Sequence, residues 1–353
     1  MFKTRYESVC SVLVLIIIAL CAPAQSGRVR GKPVESPSPE DKEAVRLRVE
    51  EVLLPVSVRS STGKLLPHLG SADFTVTEDG KRQHVNDVLR TPANVLFILD
   101  AGGESVLKNT NVNREIALNM IDKLGSEDRA AIIAYGDKVN LLTSWTSDKD
   151  ALRRALKWNF RPTTSSHLYN SLIYAAEDVL PNVSGRRSVV LLTDGVDPAG
   201  TAVFENALAL MHVARATVYV VNQATILLKK IKPDAYNVMS WYEMIDPQKR
   251  KRIEAMRVYY RQLEAGAVTL KGLAEETGGA IWDPETLDAM KTLGESVLSE
   301  ISTEYVIAYS SERPRDDKAF HPIKVFGARP DLLIRSRRGI YPGPTPKASK
   351  QPG

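Results

Sequence analysis

The run Val95-Leu96-Phe97-Ile98-Leu99 ends in Asp100 and is followed by Ala101-Gly102-Gly103. Five apolar residues in a row, bounded by turn formers, specify a strand buried on both faces. A strand of that kind belongs to a parallel sheet covered by helices. In such sheets ligands bind at the carboxyl ends of the strands. Asp100 stands at that end, and glycine lets backbone approach whatever sits there. A second stretch, Ser188-Val189-Val190-Leu191-Leu192-Thr193-Asp194-Gly195, repeats the form. Between the two, Thr164-Ser165-Ser166-His167-Leu168-Tyr169-Asn170 reads as a polar turn that opens a helix. Two strand-end carboxylates and a hydroxyl loop make an oxygen-lined cleft, the donor set that hard divalent cations prefer.

These residues resemble the von Willebrand factor A domain. In detail the chain is similar to a group of secreted bacterial proteins in which one short β segment precedes that domain and another follows it. The family's metal-ion-dependent adhesion site uses Asp-x-Ser-x-Ser after the first strand, a Thr from a middle loop and an Asp after a later strand. Asp100 matches the first position, Asp194 the last, and Ser166 falls where the Thr is expected. Gly102 and Glu104 stand in place of the two serines. Glycine offers no ligand, and Glu104 brings a carboxylate at a longer reach. The resemblance spans roughly residues 45 to 341. It implies an α/β chain: a Rossmann-like domain with a central, mostly parallel six-stranded sheet and helices on both faces, plus a small β-sandwich-like unit built from both chain ends. It also implies a degenerate Mg²⁺ (or Mn²⁺) site of Asp100, Glu104, Ser166 and Asp194, with Gly102, Gly103 and Gly195 as cleft backbone.

The ends of the chain set its organisation. Lys3 and Arg5 precede an apolar run, Val9 to Ala22, that closes in Ala22-Pro23-Ala24. A basic start, a short apolar core and an A-x-A site make residues 1–24 a secretory signal peptide, and the protein is expected to be periplasmic or secreted. Cys10 and Cys21 both lie inside it, so the mature chain carries no thiol chemistry. Residues 25–44 are polar and proline-rich, a flexible linker. Residues 45–90 alternate in the manner of strands: Val45, Leu47 and Val49 suggest one, Val52 to Val58 a second, and Asp73 to Glu78 a third that closes in the Asp79-Gly80 turn. Glu78 and Asp79 could also be read as a calcium loop. The α/β domain is expected over 91–302. Within it, Ser147-x-x-Asp150 has capping-box form and Asp283-Pro284 reads as a helix start. Residues 303–341 return to strands that pair with 45–90, and 342–353 form a disordered tail.

One segment exceeds the minimal pattern, an insert over 224–266. It contains Trp241 and Tyr242, then a basic helix, Pro247 to Glu264, separate from the helix Val268–Thr277. Arg250, Arg257 and Arg261 lie on its charged side, and Ile253, Met256, Tyr260 and Leu263 form an apolar stripe. An insertion after a parallel strand lies on the cleft side of the sheet, where Trp241, Tyr242, Arg250, Arg257 and Arg261 become partner-binding candidates. A packed amphipathic helix with a solvated basic face, or contact with an anionic membrane surface, are the other readings of the same residues.

The remaining composition excludes more than it proposes. A formal net charge of +5, with no helix-turn-helix, zinc-finger or RNP-like motif, points away from nucleic acid. The five histidines show no metal-ligand spacing such as H-E-x-x-H, and no phosphate-binding glycine loop occurs. Ser166, His167 and Asp194 would be the only candidates for a serine hydrolase, and no nucleophile-elbow motif surrounds them. The expected function is therefore non-enzymatic: an exported adhesion-type module that binds another protein. The alternative is a scaffold with a vestigial cleft that binds through the basic helix.

Overall fold

The computed structural model describes residues 48–64, 66, 68–102, 112–198, 200–236, 245–313 and 317–341. The signal-peptide, linker and tail assignments, and Gly103, Glu104, Trp241 and Tyr242, lie outside these residues. Among the described residues no helix is long and apolar enough to cross a membrane.

Two sheets organise the chain from Arg48 to Tyr341. The first is antiparallel and draws on both ends of the sequence. Its strands are β1 (Arg48–Ser60), β2 (Phe74–Glu78), β3 (Lys81–Leu89), β10 (Tyr305–Arg313), β11 (His321–Gly327), β12 (Leu332–Ser336) and β13 (Gly339–Ile340), in the order β12-β1-β10-β3-β2-β11-β13. The two strands expected near residues 45–58 are one, β1. It runs through Pro55, whose missing N–H is tolerated because β12 pairs only from Val56 onward. Val52, Leu54 and Val56 alternate onto the same core as Tyr305, Ile307 and Tyr309, with Val52 opposite Tyr309 in register.

The second sheet has six strands: β4 (Asn94–Asp100), β5 (Arg129–Tyr135), β6 (Val139–Thr146), β7 (Arg187–Thr193), β8 (Ala216–Asn222) and β9 (Ile281–Trp282). Their order is β6-β5-β4-β7-β8-β9, parallel except for β6. Every residue of β4 is buried, as its unbroken apolar run requires. Val95, Phe97 and Leu99 face α1 (Val112–Lys123), α2 (Lys149–Trp158) and α7 (Leu287–Ser302). Leu96 and Ile98 face α3 (Leu168–Tyr174), α4 (Phe204–Val213) and α6 (Pro247–Thr277). The chain leaves β4 toward β5 on one side and returns to β7 on the other. That reversal opens a crevice at the carboxyl ends of β4 and β7.

Two helix starts differ from the expected ones, and a third expected start is absent. Asp148, not Ser147, caps α2, accepting from the N–H groups of Asp150 (2.8 Å) and Ala151 (3.1 Å). Thr286 caps α7, while Asp283 instead accepts from Asn222 Nδ2 at 2.6 Å. The basic helix of the insert and the helix after it are one 31-residue element, α6, which begins at Asp246-Pro247 and ends at Gly278, φ 82°. The one turn former between the two halves, Gly266, is kept by packing rather than by a break. Helix α5 (Ala224–Tyr236) pairs with its first half: Arg257 Nε donates to the Ala235 carbonyl at 2.8 Å, and Tyr236 meets Tyr260 edge-on at 5.0 Å.

Buried charge joins the antiparallel strands to the α/β core. Arg186 and Glu304 form an ion pair at 2.8 Å with both side chains almost wholly buried, and Tyr219 donates to the same carboxylate. Glu300 on α7 accepts from Ser57, Arg59 and Arg335. Burial alone would raise its pKa, but those hydrogen bonds and the charges of Arg335 and Arg59 outweigh it, and the net shift is downward.

His212 of α4 sits against Phe320 (5.3 Å) and Tyr341 (6.4 Å) and is 3% exposed. Burial, then the charge of Arg337, lowers its pKa to about 4. The unfolded chain takes up this proton near pH 6.5, before the folded chain does. Stability is therefore full above pH 6.5 and falls as the pH drops toward 4, with a limiting slope of about 1.4 kcal/mol per pH unit from this group. In urea titrations at stepped pH, His212→Gln is expected to flatten that decline. An unchanged acid slope in the variant would assign it to other groups.

Candidate functional site

Asp100 ends β4 and Asp194 follows β7; they are 6% and 4% exposed. The strand register places Leu99 beside Leu192, so the two carboxylates leave neighbouring central strands at the same rim. Asp100 Oδ1 accepts from the N–H of Gly102 at 2.7 Å, and its carbonyl accepts from Asn113 Nδ2 at 2.8 Å. Asp194 Oδ1 accepts from the N–H of Val196 at 3.0 Å. These bonds fix both side chains over the ends of their strands.

The middle loop closes the third side. The N–H of Thr163 donates to the Ala101 carbonyl at 2.7 Å and that of Ser165 to Asp137 Oδ1 at 2.9 Å. Asp197 accepts from the first amides of α3, Leu168 at 3.0 Å and Tyr169 at 3.3 Å, and so holds the loop to the β7 side. Ser166, 2% exposed, is delivered to the strand ends with its hydroxyl buried and without a hydrogen-bond partner among the described residues. A buried hydroxyl in that condition is costly unless something else uses its lone pairs. The negative character of the cleft is felt at Tyr135, whose phenol lies under it and bonds Thr193 Oγ1 at 2.7 Å. Burial first, then the charge of Asp100, with Asp194 and Asp197 adding, raises its pKa well above 10.

Two close approaches restrict what the cleft holds. An ideal Cβ on Gly102 would lie 1.7 Å from the Ser165 carbonyl oxygen. The backbone of the middle loop therefore fills the space that the serine of the Asp-x-Ser-x-Ser pattern would use. On the other side α6 crosses the rim. A Cβ on Gly266 would come within 2.5 Å of the Gly195 carbonyl oxygen, and one on Gly195 within 2.9 Å of Leu270. This glycine-on-glycine seat brings Tyr259 down onto the site, where its hydroxyl donates to Asp194 Oδ2 at 2.9 Å. Tyr259 also packs with Val196, Ala224, Leu227 and Leu263.

The structure thus brings Asp100, Ser166, Asp194, Gly102 and Gly195 to one rim. Arg250 and Arg261 are exposed on α6, whereas Arg257 is turned to the Ala235 carbonyl. His167 Nδ1 contacts the Gly136 carbonyl at 2.6 Å rather than Ser166, whose hydroxyl has no hydrogen-bond partner among the described residues. Sequence reasoning missed Tyr259, Asn113 and Asp197. The expected apolar stripe is partly or fully buried along its length, with Tyr260 against Tyr236 of α5; beside it the face Tyr259, Leu263, Gly266, Leu270 turns to the cleft, and Gly266 inside a helix was its signal.

Residues 95–196 match the family model of the von Willebrand factor type A domain. No curated protein matches the sequence at a significant level. Among solved structures, proximal thread matrix protein 1 from the mussel byssus is 13% identical, with 64% of this chain and 50% of that chain covered and a TM-score of 0.45. This chain therefore spans about half the length of that protein. An aerotolerance-related membrane protein from Bacteroides fragilis is 13% identical over 59% of this chain and 98% of that one, TM-score 0.41. The PilB minor pilin from Streptococcus sanguinis is 11% identical over 61% and 62%, TM-score 0.42.

Proposed function

The chain carries a von Willebrand factor type A domain, and from that premise we propose that it is an exported, non-enzymatic module that binds another protein at the cleft between β4 and β7. The observation that carries this reading is the Ser166 hydroxyl, buried and unpartnered beside two strand-end carboxylates. A hydroxyl and two carboxylates suit Mg²⁺ or Mn²⁺. Asp100, Ser166 and Asp194 would hold the ion, Gly102 supplies no ligand, and Glu104 is the remaining candidate. When bound, the ion supplies an electrophilic centre for a carboxylate of the partner. Asp100 and Asp194 are pre-oriented for it by the Gly102 and Val196 amides. Residues 1–24 would direct export to the periplasm or beyond.

A second reading has its own support. Tyr259 covers the Asp194 side of the rim, and the α5–α6 arm that carries it presents Lys229, Lys230, Lys249, Arg250 and Arg261. In this reading the arm is the contact surface and the cleft is vestigial. Calorimetric titration of the full chain with Mg²⁺ and Mn²⁺ decides between the two. The metal reading expects one binding event that Asp100→Ala abolishes. No heat with either ion removes it and leaves the arm.

A further inference from the structure

A second cluster of metal-ligating side chains lies away from the cleft, in the antiparallel sheet. The β2–β3 hairpin turns through Asp79 (φ 52°) and Gly80 (φ 77°). The turn is pinned to the start of β11 by a backbone bond from the Asp79 N–H to the Pro322 carbonyl, 3.0 Å. This brings Glu78 and Asp79 against His321, 242 residues beyond Asp79 in the chain. Glu78 and His321 are 3% and 6% exposed. One ligand atom from each of Glu78, Asp79 and His321 lies within 4.8 Å of the other two.

The two imidazole nitrogens have different surroundings. Nδ1 is 2.7 Å from Asp79 Oδ2, on the side of the turn. Nε2 is 3.1 Å from Asp317 Oδ2. A carboxylate beside the far nitrogen of a histidine, with further oxygen donors converging on the near one, is the arrangement that orients metal-bound imidazole. A ring nitrogen and a carboxylate oxygen brought that close share a cation, a proton in the hydrogen bond or a metal ion in its place. A nearly buried carboxylate, Glu78, adds negative charge where water solvates it poorly.

We propose that Glu78, Asp79 and His321 form a divalent-cation site of the zinc class, with Asp317 as the positioning carboxylate. One imidazole nitrogen with two carboxylates is a Zn²⁺ donor set. Mg²⁺ and Ca²⁺ favour oxygen alone, so this site differs in selectivity from the cleft. The ion would clip the first hairpin to β11 and so tie the two ends of the chain together. Without it, His321 Nδ1 and Asp79 Oδ2 keep their hydrogen bond at 2.7 Å.

The test is a Zn²⁺ titration by calorimetry, with thermal unfolding at matched Zn²⁺. The full-length chain carries Asp100→Ala throughout, so that the cleft does not contribute. One Zn²⁺ per chain is expected, with a melting temperature that rises with zinc. Asp79→Asn, in the half-exposed turn, keeps the fold and is expected to weaken binding at least tenfold. Asp317→Asn should weaken it about 10- to 100-fold, and His321→Ala should abolish it. An absence of zinc heat overturns the site. Zinc heat and melting shift left unchanged by both Asp79→Asn and His321→Ala overturn it equally. Neither result bears on Mg²⁺ at Asp100.

Discussion

Replacement of Arg186 by methionine is expected to cost about 3–5 kcal/mol of folding stability, the range for leaving one member of a buried ion pair alone. Arg186 enters β7 and reaches three groups: Glu304, the Ile301 carbonyl, and the Thr91 carbonyl at 3.0 Å. Glu304 is 1% exposed; besides Arg186, the Tyr219 hydroxyl donates to it and the charge of Arg335 favours its ionised form. Burial raises the pKa of Glu304 even with Arg186 in place, because desolvation outweighs the attraction of the guanidinium. Removing that cation raises it further. The deficit of the variant should therefore shrink as the pH falls and Glu304 takes up a proton. Urea unfolding at neutral and mildly acidic pH measures both effects. Arg186→Met/Glu304→Gln should recover much of the loss, since neither member of the pair is left charged without the other. A loss below about 1 kcal/mol, the usual ceiling for an exposed pair, would mean that water reaches this contact.

Gly102→Ser is the obvious change for restoring the family's metal motif, and it is expected to fail. The new Cβ meets the Ser165 carbonyl oxygen at 1.7 Å and its carbon at 2.6 Å. Both are backbone atoms, so no flexible side chain can swing aside. The middle loop would have to move, which breaks the Thr163–Ala101 bond (2.7 Å) and displaces Ser166. A destabilisation of about 3 kcal/mol is expected, the upper end for overpacking, with no gain in Mg²⁺ affinity. Thermal unfolding and Mg²⁺ calorimetry on the one variant check both parts. A stable variant with tighter Mg²⁺ binding would show that the loop yields, and that Gly102 alone weakens the site. The same geometry explains why the departure from the family pattern is not a simple loss of one hydroxyl. The loop backbone has closed over the position.

Much of the architecture was legible because its signals are local. An unbroken apolar run marks a central parallel strand, since both faces must meet helices. Val95 to Leu99 and Val189 to Leu192 carried that mark. The acids placed after those runs gave the rim of the cleft. Element ends were less legible. Asp148 and Thr286 cap their helices through side-chain bonds to nearby amides, and neighbouring Ser147 and Asp283 offer equally good chemistry on paper. The continuity of α6 was hidden because Gly266 lowers helix propensity at a point where the seat on Gly195 requires it.

The order of residues along the chain determined the parallel sheet, the strand-end carboxylates Asp100 and Asp194, and the Ser166 loop between them. These rest on periodicity and turn chemistry within a few residues. Only the folded chain decided that Tyr259 lies on Asp194, that Ser165 fills the place of a Gly102 side chain, that Arg186 finds Glu304, and that Asp79 meets His321. Each joins residues 63 or more positions apart, and no repeat in the sequence records such a pair. Burial and close packing select it.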